Sequence, residues 1–243
     1  MFHHQGLSFG KGFFMQLLLY GPLKEEIDIL KYALQQAAIV LRVSHQFEQI
    51  KKEWTNQPAD AVLVIHVVED RRDNSIIKEF RSFTSVPMLV ISDLLPEEDL
   101  LGLYQAGVDL VVTRPYSIRI LTMQLRALIQ RSNNMPLKGL PSLTQGDLTL
   151  DPATRSVSVR AQPSIHLTQL EFRMLYTLMT QPGRILTAEE LVEKVWGYQG
   201  QGNRELVRGL VQRVRLKIEP DPHTPSYIHT EPGVGYFFRS NPA

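Results

Sequence analysis

The first half of the chain alternates between short apolar runs and segments of helical periodicity, and this order limits its fold more than any other feature. The apolar runs lie at 15–20, 38–44, 60–68, 86–92 and 109–113. A run such as 60–68, apolar except for Asp60 and His66, is typical of a central parallel strand covered on both faces. Because a helical pattern follows each run, the order predicts an α/β domain over residues 15–132, with a doubly wound, five-stranded parallel sheet.

Composition excludes several classes of protein without selecting one. The chain has 243 residues, no cysteine and a formal net charge of +1. It therefore has no disulfide or thiolate metal site, and no apolar run approaches the ~20 residues of a membrane span. We predict a cytoplasmic protein that uses no cofactor and makes no membrane contact. Residues 1–14 have no smooth apolar core, so we interpret them as an N-terminal extension rather than a signal peptide.

A linker and a second domain are predicted after the alternating half. Residues 133–144 contain Asn, Pro and Gly without periodicity, which favours an interdomain linker. Residues 145–241 begin with short strand patterns and end with a Pro-Gly turn between two β-rich pieces, which predicts a hairpin. Between them lie three helical stretches, at 167–181, 187–197 and 203–219. Strands, three helices and a hairpin together predict an α+β winged helix-turn-helix.

The last of these helices, at 203–219, has an apolar stripe and a cationic face. At about 100° per residue the stripe consists of Val207, Val211, Val214 and Ile218. Between Arg204 and Lys217 there are five basic residues and one acid. Arg makes bidentate hydrogen bonds to guanine and Gln to adenine, so Arg208, Gln212 and Arg213 on the polar side suit a DNA major groove. A solvated cationic face is the alternative for the helix considered alone.

Glycine at position 209 is unexpected in the middle of this helix. Gly costs about 1 kcal/mol relative to Ala in a helix interior. Close approach of the helix to a base pair or a phosphate would explain why it is there.

Residues 146–238 resemble the effector domain of the OmpR/PhoB family of bacterial response regulators. Three stretches carry the resemblance: LTQLEFRMLYTLMTQPGRILTAEELVEKVWG, LVRGLVQRVRLKIEPDP and YIHTEPGVGYFF. It implies transcription regulation through double-stranded DNA, with a four-stranded N-terminal sheet, a recognition helix at 203–219 and a C-terminal wing. The implied DNA-binding residues are Trp196, Arg204, Arg208, Gln212, Arg213, Arg215, Lys217, Thr230 and Tyr236. The loop at 197–203 occupies the segment that contacts RNA polymerase in relatives.

At two positions of the effector domain, the roles known in the family do not carry over directly. Pro232 stands where the family's wing commonly has an Arg for the minor groove, so minor-groove binding is not implied here. For Trp196, a role in the core or as a loop anchor is an equal alternative.

The first half resembles the receiver domain that precedes such effectors, a flavodoxin/CheY-like fold. In that family, clustered carboxylates hold Mg²⁺, and an Asp at the end of the third strand accepts a phosphoryl group. At the corresponding strand ends this chain has Tyr20, Gly21, Ile65, His66, Ser92 and Arg114. The hydroxyl of Ser92 fits the family, but no carboxylate stands at the metal or acceptor positions. We predict a degenerate receiver that is regulated without Asp phosphorylation.

His66 has two interpretations in such a receiver. It is either a neutral side chain that fills the vacated pocket or part of a sensing site.

The resemblance also implies a homodimer through the fourth helix, fifth strand and fifth helix, at about 96–107, 109–113 and 117–130. Acidic and basic side chains on this face, at Glu98, Asp109, Arg119 and Arg126, would match across a twofold axis, or they are merely solvated.

Two other functions stay open from the sequence. One is a regulator that senses a small molecule in the altered receiver pocket, and the other is a protein-interaction adaptor with weakened DNA binding. We find no nucleophile–base or metal constellation typical of an enzyme.

Overall fold

The computed structural model describes residues 15–22, 24–65, 73–134, 140–160, 162–197 and 204–240. The predictions for His66, for the extension at 1–14 and for most of the loop at 197–203 lie outside these residues. The described chain forms two units that correspond to the two predicted domains, which we call the receiver unit and the effector unit.

The receiver unit is a five-stranded parallel sheet with helices on both faces, in the strand order β2-β1-β3-β4-β5. Its strands are β1 (Met15–Tyr20), β2 (Ile39–Ser44), β3 (Ala61–Ile65), β4 (Met88–Ser92) and β5 (Leu110–Thr113). Its helices are α1 (Lys24–Gln36), α2 (Phe47–Glu53), α3 (Asp73–Phe83), α4 (Glu97–Ala106) and α5 (Ile118–Asn134). Every residue of β3 and β4 is buried, as expected for apolar strands covered on both faces. The doubly wound prediction is confirmed.

The effector unit is a winged helix, which confirms the second predicted architecture. A four-stranded antiparallel sheet comes first, made of β6 (Leu143–Gln145), β7 (Leu148–Asp151), β8 (Ser156–Val159) and β9 (Ile165–His166). Three helices follow, α6 (Gln169–Met179), α7 (Ala188–Val195) and α8 (Arg204–Ile218). The wing is the hairpin of β11 (Ile228–Glu231) and β12 (Gly235–Phe238), and β10 (Leu186–Thr187) pairs with it.

Helices α6 and α7 each begin with a capping box. The Thr168 hydroxyl accepts a hydrogen bond from the backbone N–H of Glu171, whose carboxylate accepts one from the backbone of Thr168. Thr187 and Glu190 form the same pair at the start of α7. Such caps satisfy backbone donors that a helix leaves unpaired, so they define where α6 and α7 begin.

Secondary structure extends into both ends of the stretch predicted as a linker. Helix α5 continues to Asn134, and β6 begins at Leu143 and pairs with β7. The composition of 133–144 indicated a break in periodicity, but it did not reveal that Leu143 pairs with Leu150 across a hairpin.

Glu219, directly after α8, attaches the wing to the effector core, although the sequence did not single it out. Its buried carboxylate accepts backbone hydrogen bonds from Ser226, Tyr227 and Ile228 at 2.7–3.1 Å. A single carboxylate thus satisfies the backbone donors that lead into β11 and determines where the wing lies relative to α8.

We expect Glu219→Ala to lower the free energy of unfolding of the effector unit by about 3 kcal/mol, because buried backbone donors lose their acceptor. Glu231→Ala, in the exposed part of the wing, is the matched control and should change stability little. Chemical denaturation followed by circular dichroism measures both variants. Equal stability of the two would show that Glu219 does not hold the wing.

Candidate nucleic-acid interface

Helix α8 carries most of the predicted DNA-binding side chains, and its predicted apolar stripe anchors it. Val207, Val211, Val214 and Ile218 are each at most 2% exposed. The helix packs on α6 and α7. Because this anchor sets the rotation of α8, helical spacing determines where its other side chains point.

An exposed arc of α8 carries polar and cationic groups beside the wing. Arg204 and Arg208 are exposed, and Gln212 is half-buried on the same arc. On the wing, Thr230 is exposed and Tyr236 is half-buried. A groove of about 340 Å³ separates the wing from the N-terminus of α7 and is lined by Arg204, Thr230 and Tyr236 among others. This arc and groove form the surface that the structure offers to a nucleic acid.

Arg215 links α8 to the wing. Its guanidinium donates to the backbone oxygen of Ile228 at 2.7 and 3.1 Å and to Oγ1 of Thr230 at 2.9 Å. Burial lowers the pKa of Arg215, and burial raises the pKa of Tyr236. Arg215 therefore orients the wing beside α8 with part of its donor capacity already used.

Lys217 points into its own unit instead of toward the exposed arc. Its Nζ donates to Oε2 of Glu171 at 2.7 Å and to the backbone oxygen of His166 at 3.0 Å. Burial acts to raise the pKa of Glu171, but the nearby charges of Arg213 and Lys217 outweigh it and hold that pKa below its usual value. Lys217 therefore forms an internal ion pair and does not lie on the exposed arc, although it was predicted to bind DNA.

A second buried stripe runs along α8, which the sequence interpretation missed. It consists of Leu206, Gly209, Leu210 and Arg213, at the spacing i, i+3, i+4, i+7. Arg213 was expected on the polar side, yet it is only 6% exposed. Leu206 and Leu210 lie outside the first stripe, and they are the sequence signal that α8 has a second packing partner.

The partner of this second stripe is α4 of the receiver unit. A Cβ added at Gly209 would lie 2.3 Å from Cβ of Tyr104, so the two helices are in direct contact there. The close approach inferred for Gly209 exists, but here it is to the receiver unit and not to a base pair or phosphate.

Asp109, just before β5, joins the two units through its side chain and backbone. Its Oδ1 accepts from Nη2 of Arg213 at 3.0 Å, and its Oδ2 accepts from Arg81 at 2.6 Å and from the Met88 N–H at 2.9 Å. The Trp196 indole N–H donates to the Asp109 backbone oxygen at 2.8 Å. Burial lowers the pKa of Arg81, with Asp109 acting in the opposite direction.

The predicted dimer and DNA contacts of Asp109 and Trp196 are therefore occupied within this chain. Asp109 is 2% exposed and Trp196 is fully buried. Glu98, Arg119 and Arg126 are exposed, and Arg126 donates to the backbone oxygen of Ala37, just after α1. Because α8 covers α4, a dimer through this face stays a prediction that needs a different arrangement of the two units.

An ion pair lies at the receiver edge where a phosphorylation pocket was considered. The Arg114 guanidinium donates to Glu26 at 2.7 and 3.1 Å, and the Tyr116 hydroxyl donates to Glu26 at 2.7 Å. The hydrogen bond to Glu26 raises the pKa of Arg114, and burial together with the same carboxylate raises the pKa of Tyr116. Glu26 lies in the first turn of α1 and is the partner of Arg114, the residue after β5.

The other pocket residues are small, apolar or already hydrogen-bonded. A Cβ added at Gly21 would lie 2.6 Å from Cβ of Ile65, so β1 and β3 are in contact at this edge. The Gly21 backbone oxygen lies 2.6 Å from Nδ1 of His45. Ser92 is fully buried at the end of β4, and Tyr20 is half-buried.

Among the described residues, the donor set at this edge does not fit Mg²⁺, which takes hard oxygen ligands. The carboxylate of Glu26 is already engaged by Arg114 and Tyr116, and Gly21 and Ile65 offer no side-chain oxygen. In the described part of the chain, no group of three or more His, Asp or Glu side chains is arranged to hold a metal ion. No described helix is both long and apolar enough to cross a membrane.

Comparisons with known proteins match both units. A family model described as "Transcriptional regulatory protein, C terminal" matches residues 161–238. The chain is 30% identical over 186 residues to the KDP operon transcriptional regulatory protein KdpE of Escherichia coli (strain K12), covering 76% of this chain and 82% of that protein. Structures of two RitR mutants match with TM-scores of 0.72 and 0.70 at 20% and 22% identity, each covering 93% of this chain and 100% of the other. The RitR likeness is one of fold.

We expect Glu26→Ala to lower the free energy of unfolding by about 2 kcal/mol, because the partly buried Arg114 and Tyr116 lose a charged hydrogen-bond acceptor. Glu25→Ala is the matched control, since Glu25 is the exposed neighbour in the same first turn and removes the same charge from α1. Urea denaturation of both variants checks the difference. If they are equally stable, Glu26 acts only on the helix dipole.

Proposed function

This chain belongs to the OmpR/PhoB family of response regulators, and from that premise we propose that it is a sequence-specific DNA-binding transcription regulator whose receiver works without aspartate phosphorylation. In this proposal α8 enters the major groove and the wing contacts the flanking backbone. Double-stranded DNA is the principal partner, and the DNA-bound form is a homodimer. Contact with RNA polymerase through 197–203 is an expectation taken from the family alone.

One observation carries the DNA-binding part of the proposal: the exposed arc of α8 beside the wing. Arg204, Arg208 and Gln212 share this arc, while the Val207 stripe on another side anchors the helix. Arg and Gln side chains form the bidentate hydrogen bonds that distinguish guanine and adenine in the major groove. Cations at the edge of the same arc suit the phosphate backbone.

Support for a phosphorylation-independent receiver comes from the residues at its strand ends. Phosphoryl transfer needs an acceptor and a metal ion that spreads the charge of the transferred group. β3 ends in Ile65, and the nearby Glu26 is held by Arg114 and Tyr116. Control of this receiver is therefore expected to depend on domain arrangement, dimerisation or a partner.

The described residues do not favour the two alternative functions over this one. A small-molecule sensor requires space in the receiver pocket, but Glu26, Arg114 and Ile65 occupy that edge. An adaptor without DNA binding would leave the cationic arc of α8 without a role.

We expect the double variant Arg204→Ala/Arg208→Ala to bind its operator more weakly and with a smaller salt dependence. Each lost phosphate contact lowers the slope of log affinity against log salt by about one. The operator duplex is first obtained by genome-wide footprinting, and fluorescence anisotropy then measures affinity over a salt series. The double variant Lys51→Ala/Lys52→Ala, which removes two exposed cations from α2, is the control. An unchanged affinity for the double variant would exclude α8 as the DNA-binding helix.

We expect acetyl phosphate with Mg²⁺ to leave the intact mass of the protein unchanged, because neither a phosphoacceptor nor a metal site is predicted. Mass spectrometry under mild acid conditions checks this. A family member with a complete phosphorylation pocket, treated in parallel, shows that the reagent is active. A phosphoryl adduct on this chain would contradict the proposal.

A further inference from the structure

We propose that Glu231 of the wing is a specificity-determining residue that acts by repulsion, and that it selects against operators with an A-tract beside the major-groove contact of α8. This inference rests on the proposed binding of α8 to DNA. It adds a sequence preference that needs no attractive contact between the wing and a base. Specificity can result from an unfavourable contact with the wrong partner as well as from a favourable contact with the right one.

The tip of the wing, between β11 and β12, is a tight turn. The backbone N–H of Val234 donates to the backbone oxygen of Glu231 at 3.0 Å, and Gly233 has a φ of +75°. Proline before a glycine with positive φ is typical of a type II turn. A Cβ added at Gly235, directly after the turn, would collide with the backbone oxygen of Leu186. This close approach fixes the base of the tip against β10.

The side chains of the tip offer no hydrogen-bond donor. Glu231 and Pro232 are exposed, Val234 is 53% exposed, and a Cβ added at Gly233 would meet nothing within 4 Å. In the minor groove, A·T pairs present only the acceptors adenine N3 and thymine O2, so a protein needs donors to bind them. The tip therefore projects into solvent with a carboxylate and without a side chain that could bind A·T pairs.

The residues behind the tip suit the phosphate backbone. Nη2 of Arg215 donates to Oγ1 of Thr230 at 2.9 Å, so the Thr230 hydroxyl keeps its own hydrogen for a phosphate. Tyr236 pairs with Thr230 across the hairpin, and burial raises its pKa, so its hydroxyl also stays a donor. Because a strand advances about 3.4 Å per residue, the tip lies roughly 3–10 Å beyond this pair.

A tip at this distance lies over the minor groove when α8 is in the major groove. Each sugar-phosphate backbone of B-DNA separates a major groove from a minor groove, and the minor groove is only about 6 Å wide. With Thr230 at the phosphates of this backbone, the next residues along the wing reach the minor groove. Glu231, which pairs with Gly235 at the end of the hairpin, is the first of them.

Charge determines which minor grooves suit this tip. A-tracts have a narrow minor groove with an enhanced negative potential, which attracts cations and therefore repels a carboxylate. The groove beside the wing has two carboxylates, Glu189 and Glu231, and one cation, Arg204, among its described lining residues. Because the acids outnumber the cation there, the repulsion is not cancelled locally. An operator with a wider, less negative minor groove at the tip is bound more tightly.

Three duplexes test the inference on the full chain. Each contains the operator obtained by footprinting, and they differ only in the base pairs next to the major-groove contact, which form an A-tract, an alternating T-A sequence or a G·C-rich sequence. The alternating duplex has the base composition of the A-tract but flexible steps in place of its stiff, narrow groove, so it separates groove shape from composition. Fluorescence anisotropy measures the affinities at low and at high salt.

Substitutions at one position separate charge from shape. Glu231→Gln removes the charge and keeps the size of the side chain, whereas Glu231→Lys inverts the charge. Glu48→Gln, which removes an exposed acid from α2 of the receiver unit, is the matched control. Because Glu231 is exposed, both of its variants are expected to fold as the wild type does, and circular dichroism verifies this.

We expect the wild type to bind the A-tract duplex about threefold more weakly than the other two, the size of one interaction between exposed charges. Glu231→Gln should bind the three duplexes equally, Glu231→Lys should prefer the A-tract, and Glu48→Gln should behave as the wild type. High salt should remove the preference of the wild type, because it screens exposed charges.

The outcomes distinguish this inference from the proposed function on which it rests. Equal affinity of the wild type for the three duplexes, or a preference for the A-tract, would overturn the inference and leave α8 as the DNA-binding helix. A preference that persists in Glu231→Gln would overturn the role of Glu231, since its charge would not be the cause. If the wild type binds none of the duplexes, the proposed function of α8 fails and the inference fails with it.

Discussion

The buried carboxylate of Asp109 is the interaction on which the arrangement of this protein depends. It accepts hydrogen bonds from Arg81 on α3, from the Met88 backbone on β4 and from Arg213 on α8. Arg81 and the Met88 backbone hold Oδ2 within the receiver unit. Oδ1 accepts the hydrogen bond from the effector unit. A buried ion pair of this kind contributes less to stability than to specificity, because desolvation offsets much of its attraction. Asp109 therefore connects α8 to α3 and β4 of the receiver unit through one buried side chain.

The receiver unit has the fold of its family, and an ion pair lies at the edge where a phosphorylation pocket was considered. At this edge the carboxylate of Glu26 accepts hydrogen bonds from Arg114 and Tyr116. The negative charge of Glu26 is therefore balanced by a cation of the same chain. The receiver unit contacts the effector unit mainly through α4, which packs on α8.

Much of the fold was predictable from local patterns. Apolar runs identified the parallel strands, because strands such as β3 are covered on both faces. Thr168 and Thr187 marked the starts of α6 and α7, because capping is a local interaction. The candidate site was less predictable. Arg213 has the sequence character of a DNA-binding residue but is buried, and only contact with Asp109, distant along the chain, explains that burial.

The sequence by itself determined the two architectures, the cationic arc of α8 and the lack of carboxylates at the receiver strand ends. These depend on residue type and on periods of two or 3.6 residues, which are properties of the local chain. Only the tertiary structure decided that Gly209 faces Tyr104 and that α8 packs on two sides. Such contacts join residues about a hundred positions apart. Their geometry follows from how the two folded units pack, which no local pattern encodes.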